Sequence, residues 1–305
     1  MNRKPRTCPS VLAAVANAAW CIQPDKMGAI LSFLLARNSG VIFTAEEVAA
    51  RTGGDGSDPA EYFVQDGVAV IPVHGVISQR MPMMADVSGG GGASTEQISM
   101  QFDSAMSDKQ VKAIVFDIDS PGGTSGGVME LSSQIFQARG KKPIISVANG
   151  QMASAAYWIG SSADKIVAAP SAWSIGSVGV YALHSDYSRM MANEGITNTF
   201  IKAGKYKTEG NDLEPLTEEA KTDIQRMVDA VYGDFLADLT RNRGQVAARK
   251  SFGDGRTFTS KEAISERMVD EIGTLGAIVG QMATNAGRRK AMASEIRNLE
   301  ISCLG

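Results

Sequence analysis

The sequence has little cysteine and less histidine. Its three cysteines, Cys8, Cys21 and Cys303, lie near the ends of a 305-residue chain, and none forms a CxxC pair. That excludes a disulfide framework and a cysteine zinc site, and fits a reducing compartment. The two histidines, His74 and His184, stand in no triad-like context. No apolar run reaches the ~20 residues of a membrane span. The strongest, "MGAILSFLLA" from Met27 to Ala36, has ten. A net charge of −3 with 21% charged residues gives no broad pull toward nucleic acid. The basic runs "MNRKPR" and "GRRK" read as solvated tails, so no specific nucleic acid is expected as a partner. Internal repeats are absent.

What is present is alternation. "GVAVIPVHGVIS", "VKAIVFDID" and "KPIISVAN" read as apolar strands, and "STEQISMQFDSAMSD" and "SGGVMELSSQIFQARG" as helices between them. Strands alternating with helices predict βαβ crossovers and a mainly parallel sheet, an α/β fold. Ser94 and Gln97 have capping-box spacing. Ile224, Met227, Val228, Val231, Phe235 and Leu239 recur at helical spacing and predict a long helix from about Thr217 to Arg243, with Gly244 near its stop. Residues 1–60 read as a helical N-terminal extension and linker, 61–280 as the core domain, and 281–305 as a polar tail. Within the extension, Asp25 is the expected N-cap of one helix, "TAEEVAART" predicts another, and "GGDGSDP" reads as a linker. The glycines of "SGGGG" at 88–92 read as a loop. "MNRKPRTCPSVLAAVANAAWC" has the outline of a secretory signal, but Pro9, Ser10 and Asn17 interrupt or border it. An amphipathic region that packs on a partner or on the chain itself is the preferred reading.

Two strand-to-helix junctions carry chemistry. In "DIDSPGGTSGG" the glycines free backbone N–H groups to point into a cleft. The plainer reading is a tight turn, and neither GxxxxGK(S/T) nor GxGxxG is present there. In "NGQMASAAYWIGSSAD" a strand ends and Ser154 opens a helix. Open α/β sheets put sites at the carboxyl ends of strands. The N–H groups of Gly123 and Ala155 can there cradle an oxyanion. A simple N-cap is the alternative for Ser154, and GxSxG is absent around it.

A serine needs a base. "IKAGKYKTEGND" offers Lys202, Lys205 and Lys207 in a glycine-bounded loop. A lysine acts as base only when neutral. Its reference pKa of ~10.4 must fall to about 7, which burial can achieve at about 4–5 kcal/mol. Three lysines in six residues otherwise read as a solvated loop.

"DIDSPGG", "GQMASAAYWIGSSADKIVA", "SIGSVGVY", "AGKYKTEGN" and "GRTFTSKEAISERMVDEIGT" occur in order with fitting spacing. Together they resemble the Ser–Lys peptidases of the SppA and phage protein C type, over roughly residues 68–273. The resemblance implies a Clp/crotonase-like fold and makes 61–280 the peptidase domain. It implies Ser154 as nucleophile, Lys207 as base with Lys205 in reserve, Ser177 supporting the base, and Gly123 and Ala155 as oxyanion donors. No metal or cofactor is implied. The expected reaction is acyl transfer from a peptide, with small or apolar residues before the cut. Relatives form rings in which neighbouring subunits complete the cleft, so a homo-oligomer is expected.

The front of the chain resembles those of phage head proteases. The expectation is a capsid maturation protease cutting scaffold, portal or other capsid proteins within the procapsid, in the cytoplasm of a bacterial host, with no membrane span. The alternatives are a cellular SppA-type signal-peptide peptidase, membrane-associated or periplasmic, and a non-catalytic structural head protein. Only about thirty residues follow the core, so a fused scaffold is not expected.

Overall fold

The computed structural model describes residues 19–38, 61–80, 92–244 and 254–288. The described residues open with strand β1 (Trp20–Ile22) and helix α1 (Pro24–Asn38). Strands β2 (Phe63–Gln65), β3 (Val68–His74), β4 (Val76–Ser78) and β5 (Gly92–Ser94) lead into α2 (Thr95–Ser107). Then come β6 (Ala113–Ser120), β7 (Gly122–Thr124), α3 (Val128–Ala138), β8 (Ile144–Ala153) and α4 (Ala155–Ser161). Strands β9 (Lys165–Ala168) and β10 (Ser174–Gly176) precede α5 (Ser188–Asn193) and the long α6 (Glu218–Arg243). Strand β11 (Thr257–Phe258), α7 (Ser260–Ser265) and β12 (Glu271–Ile272) follow. The last of the described helices, α8, runs over residues 275–288.

The mixed α/β architecture is mainly parallel, as expected. In the larger sheet, β3, β6, β8 and β10 pair in parallel, and β8 also pairs in parallel with β9 and β9 with β12. Antiparallel β2 and β11 flank this run. A second sheet has the order β1-β7-β4-β5. Strand side chains alternate between faces. Ile71, Ile114 and Phe116 pack in the cluster shared with α2, α3, α4 and α6, while Val70, Val115 and Val147 meet Ile278, Val279 and Met282 of α8 on the other face. Burial on both faces explains why these strands read as near-continuous apolar runs.

Helix ends follow local chemistry. Ser94 Oγ accepts from Gln97 N at 3.3 Å and Thr217 Oγ1 from Ala220 N at 3.1 Å. Gly244, at φ 71°, stops α6. Three expectations need correcting. Asp25 lies inside the first turn of α1, because Pro24 takes the first helical position. The stretch read as a separate helical extension includes β1, which is buried and paired into the second sheet. A boundary at residue 280 also falls inside α8, whose buried residues span it. The helix expected over "TAEEVAART", the "GGDGSDP" linker, residues 88–91 and the tail from 289 lie outside the described residues.

Candidate active site

Ser154 stands at the carboxyl end of β8, where α4 begins. Its backbone is at φ 54°, ψ −117°, a region non-glycine residues rarely adopt. The Ser154 N–H donates to Gly176 O at 2.6 Å. The hydroxyl makes no cap bond on α4. Among the described residues it reaches only Gly179 O, at a long 3.5 Å, and the residue is 1% exposed. The N-cap reading therefore fails at the side chain: the hydroxyl is loosely held rather than spent on the helix.

Ser177, Gly123 and Ala155 lie close to this point. Ala153 pairs with Gly176 in parallel register, so Ser177 follows beside Ser154. Ser177 is also at positive φ, 51°, and its N–H donates to Arg256 O at 2.7 Å. The Gly122–Gly123 turn lies on the other side. A Cβ on Gly122 would lie 3.0 Å from Ser154 Cβ, and one on Gly123 would lie 1.8 Å from Ile77 O. Only glycine fits either place. Ala155, wholly buried, is the first residue of α4, where N–H groups have no intrahelical acceptor. Beside Ser154 runs a cleft of about 410 Å³, lined by Ser177, Gly179, Tyr181, Val228 and Tyr232 among others. A larger cavity of about 830 Å³ lies at the amino ends of β6 and β8, around Lys112, Lys142 and Lys165, away from the serine.

Among the described residues, no hydrogen bond joins any of the three lysines to Ser154. Lys207 lies in an exposed turn, its N–H donating to Gly204 O at 3.2 Å. Among the described residues no hydrogen bond joins its ammonium to Ser154. Lys205 Nζ donates to Glu219 Oε1 at 2.7 Å and to Tyr206 OH at 3.1 Å. Those bonds hold its pKa above the ordinary lysine value, the wrong direction for a base. Lys202 Nζ is bonded to Thr208 Oγ1 at 2.9 Å. Neither histidine stands in for them: His74 pairs with Asp117 at 3.0 Å, and His184 Nε2 is 2.9 Å from Asn211 O.

Behind the serine, α4 is locked in place. The rings of Trp158 and Phe235 stack at 4.4 Å, and Trp158 Nε1 donates to Asp238 Oδ2 at 2.7 Å. Asn242 Nδ2 donates to Ser161 Oγ at 2.9 Å, and Arg139 binds the carbonyls of Ser161, Ser162 and Ala163. Sequence reasoning missed Gly179 and Tyr181, which act through backbone groups and carry no side-chain signal.

Residues 137–289 match the profile of Peptidase family S49; that span contains Ser154, Ser177 and Lys207. The chain is 30% identical to the head-tail preconnector protein GP5 of Enterobacteria phage P21, over 89% of this chain and 54% of that protein. It is 28% identical to capsid assembly protease C of Escherichia phage lambda, over 85% of this chain and 59% of that one. The chain thus spans little more than half the length of these relatives. A solved mutant of ClpP1 from Listeria monocytogenes is similar over 67% of this chain and 91% of that chain, at 17% identity and a TM-score of 0.43. With half of its length matched and the strained serine inside the matched half, the chain belongs to Peptidase family S49.

Proposed function

We propose that the chain is a serine endopeptidase with a Ser154–Lys207 dyad that cuts scaffold, portal or other capsid proteins during head assembly. The observation that carries this reading is Ser154 itself, a strained, uncapped serine beside a turn that admits only glycine. Membership of the peptidase family and the names of the two phage relatives support the reaction class and the setting.

In this reading a neutral Lys207, steadied by Ser177, takes the Ser154 proton, and the alkoxide attacks a peptide carbonyl. The N–H groups of Gly123 and Ala155 hold the oxyanion. The lysine then protonates the leaving amine, and water resolves the ester. Because Lys207 is exposed, Ser154 is buried and no hydrogen bond joins them among the described residues, the reading completes the dyad between neighbouring copies. Apolar side chains exposed on the same segment, Ile196, Phe200, fully exposed Ile201 and Tyr206, fit a surface that another copy covers. The setting is the procapsid in the host cytoplasm; among the described residues no helix is long and apolar enough to cross a membrane.

Cleavage of a co-expressed capsid protein tests the assignment. Ser154→Ala and Lys207→Ala are each expected to lower the rate about 10³-fold or more, and Lys205→Ala to leave most of it. Full activity in Ser154→Ala sinks the mechanism. A dead Lys205→Ala beside a live Lys207→Ala moves the base.

A further inference from the structure

We propose that residues 19–22 occupy the Ser154 cleft as a tethered peptide, and that the chain cuts itself between Cys21 and Ile22. This rests on the peptidase reading above and names a substrate for it.

Strand β1 lies as an extended peptide would in a strand-accepting cleft. On one side it runs antiparallel to β7, with Trp20 opposite Thr124, Cys21 opposite Gly123 and Ile22 opposite Gly122. On the other it exchanges hydrogen bonds with Tyr181: Trp20 N to Tyr181 O at 2.9 Å and Tyr181 N to Trp20 O at 3.1 Å. The pairing extends past both ends, with Ser125 N donating to Ala19 O at 3.3 Å and Gln23 N to Pro121 O at 3.2 Å.

These bonds fix which carbonyl faces the chemistry. Hydrogen-bonded pairs alternate along an antiparallel ladder. Pairs 19/125 and 23/121 are bonded, so 21/123 lies in the same phase, and the Gly123 N–H is aimed at the Cys21 carbonyl. The position of a Cβ on Gly122 lies 2.1 Å from Cys21 O and 3.0 Å from Ser154 Cβ. The Cys21 carbonyl therefore neighbours both the proposed nucleophile and the proposed oxyanion donor.

Both sides of the bond are gripped. The Cys21 side chain is wholly buried in the apolar core, and burial pushes its thiol up to about 12, so it behaves as a small neutral group. Beyond the bond, Ile22 lines the cleft with Ser177 and Gly179. Gln23 Nε2 donates to buried Ser174 Oγ at 2.6 Å, and Met27 and Ile30 anchor α1.

In the step, Ser154 Oγ bonds to the Cys21 carbonyl carbon as the C–N bond to Ile22 breaks. The hydroxyl proton passes through the lysine to the new Ile22 amine. Water then cleaves the ester, releasing residues 1–21 with a carboxylate and restoring the serine. The pocket before the cut thereby prefers small apolar side chains.

The full chain is expressed beside a capsid protein, and its intact mass and N-terminal sequence are read for wild type and Ser154→Ala. The expected result is a new N-terminus at Ile22 in wild type and an uncut bond in Ser154→Ala. A wild type that cuts the capsid protein but leaves its own 21–22 bond intact overturns this inference and leaves the peptidase reading standing. One that cuts neither overturns both, and a 21–22 cut that persists in Ser154→Ala overturns the self-cleavage. Cys21→Arg, which puts a charge in the buried position, is expected to slow this cut about tenfold or more; undiminished cutting overturns the pocket assignment.

Discussion

Ser154 sits where a backbone favours glycine, and such strain, of order 1–3 kcal/mol, persists only when the surroundings over-determine it. Three features do so here. Its N–H is bonded to Gly176 O, β8 and β10 are in fixed register, and α4 starts at the next residue. The reward is a hydroxyl that is not spent on capping its own helix and stands beside the Gly122–Gly123 turn. That turn is equally constrained, since a Gly123 side chain would enter the Ile77 carbonyl. Gly123→Ala is expected to lose about 1–3 kcal/mol of stability to overpacking. As a displaced oxyanion donor it should also lose about 10²–10³-fold in turnover. Melting curves and turnover measured together check both; an unchanged rate would remove Gly123 from the oxyanion site. The choice between Lys205 and Lys207 was undecidable from spacing. The Glu219 contact that favours charged Lys205 comes from the first turn of α6, fourteen positions away.

At the scale of elements, α6 braces α4 through Trp158, Phe235, Asp238 and Asn242, and its last turn reaches β12 through Asp270. Arg243 donates to both oxygens of Asp270, at 2.7 and 2.9 Å, and Ile166 N donates to Oδ2 at 2.8 Å. Burial pushes the Asp270 carboxyl up, but these bonds outweigh it and hold it below the usual carboxylate range. A depressed pKa adds stability that is complete above the unfolded value of about 3.9 and fades as pH falls through the lower folded value. Asp270→Asn is therefore expected to cost about 1 kcal/mol near neutral pH. The gap from wild type in urea midpoint should close below about pH 4, and a gap independent of pH would sink the assignment.

Much of this frame was legible in the sequence. β3, β6 and β8 are apolar runs because both faces are buried, and Thr217 and Gly244 bracket α6 by their own local chemistry. Ser154, Ser177 and Gly123 were proposed from motifs; the β8–β10 register puts Ser177 beside Ser154, and the glycine pair on β7 comes close to it from the second sheet. Strand β1 was not legible. Three residues carry no period, and their partners, Gly122–Thr124, lie a hundred positions later. Helix α1 starts one residue before its aspartate because Pro24, with no N–H to satisfy, suits the first helical position.

For the whole molecule, one chain is an incomplete enzyme in the proposed reading. The serine is buried, the lysine is exposed, and the segment between them presents apolar side chains to solvent. If the dyad forms between copies, two dead variants repair each other. Mixing Ser154→Ala with Lys207→Ala is expected to restore capsid-protein cleavage, because some interfaces pair an intact serine with an intact lysine. No recovery over a range of protein concentrations, with assembly confirmed by sedimentation, would place both residues in one subunit.

Strand β1 also bears on how any ligand of this cleft will be measured. It is joined to α1 through Gln23 alone, so it competes from a tether. A short tether acts like a millimolar free ligand. A peptide titrated into the uncut chain must displace that local excess. Its apparent Kd then exceeds the intrinsic one by the ratio of effective concentration to the strand's own dissociation constant. Screens run on the uncut chain will rank good ligands as poor ones.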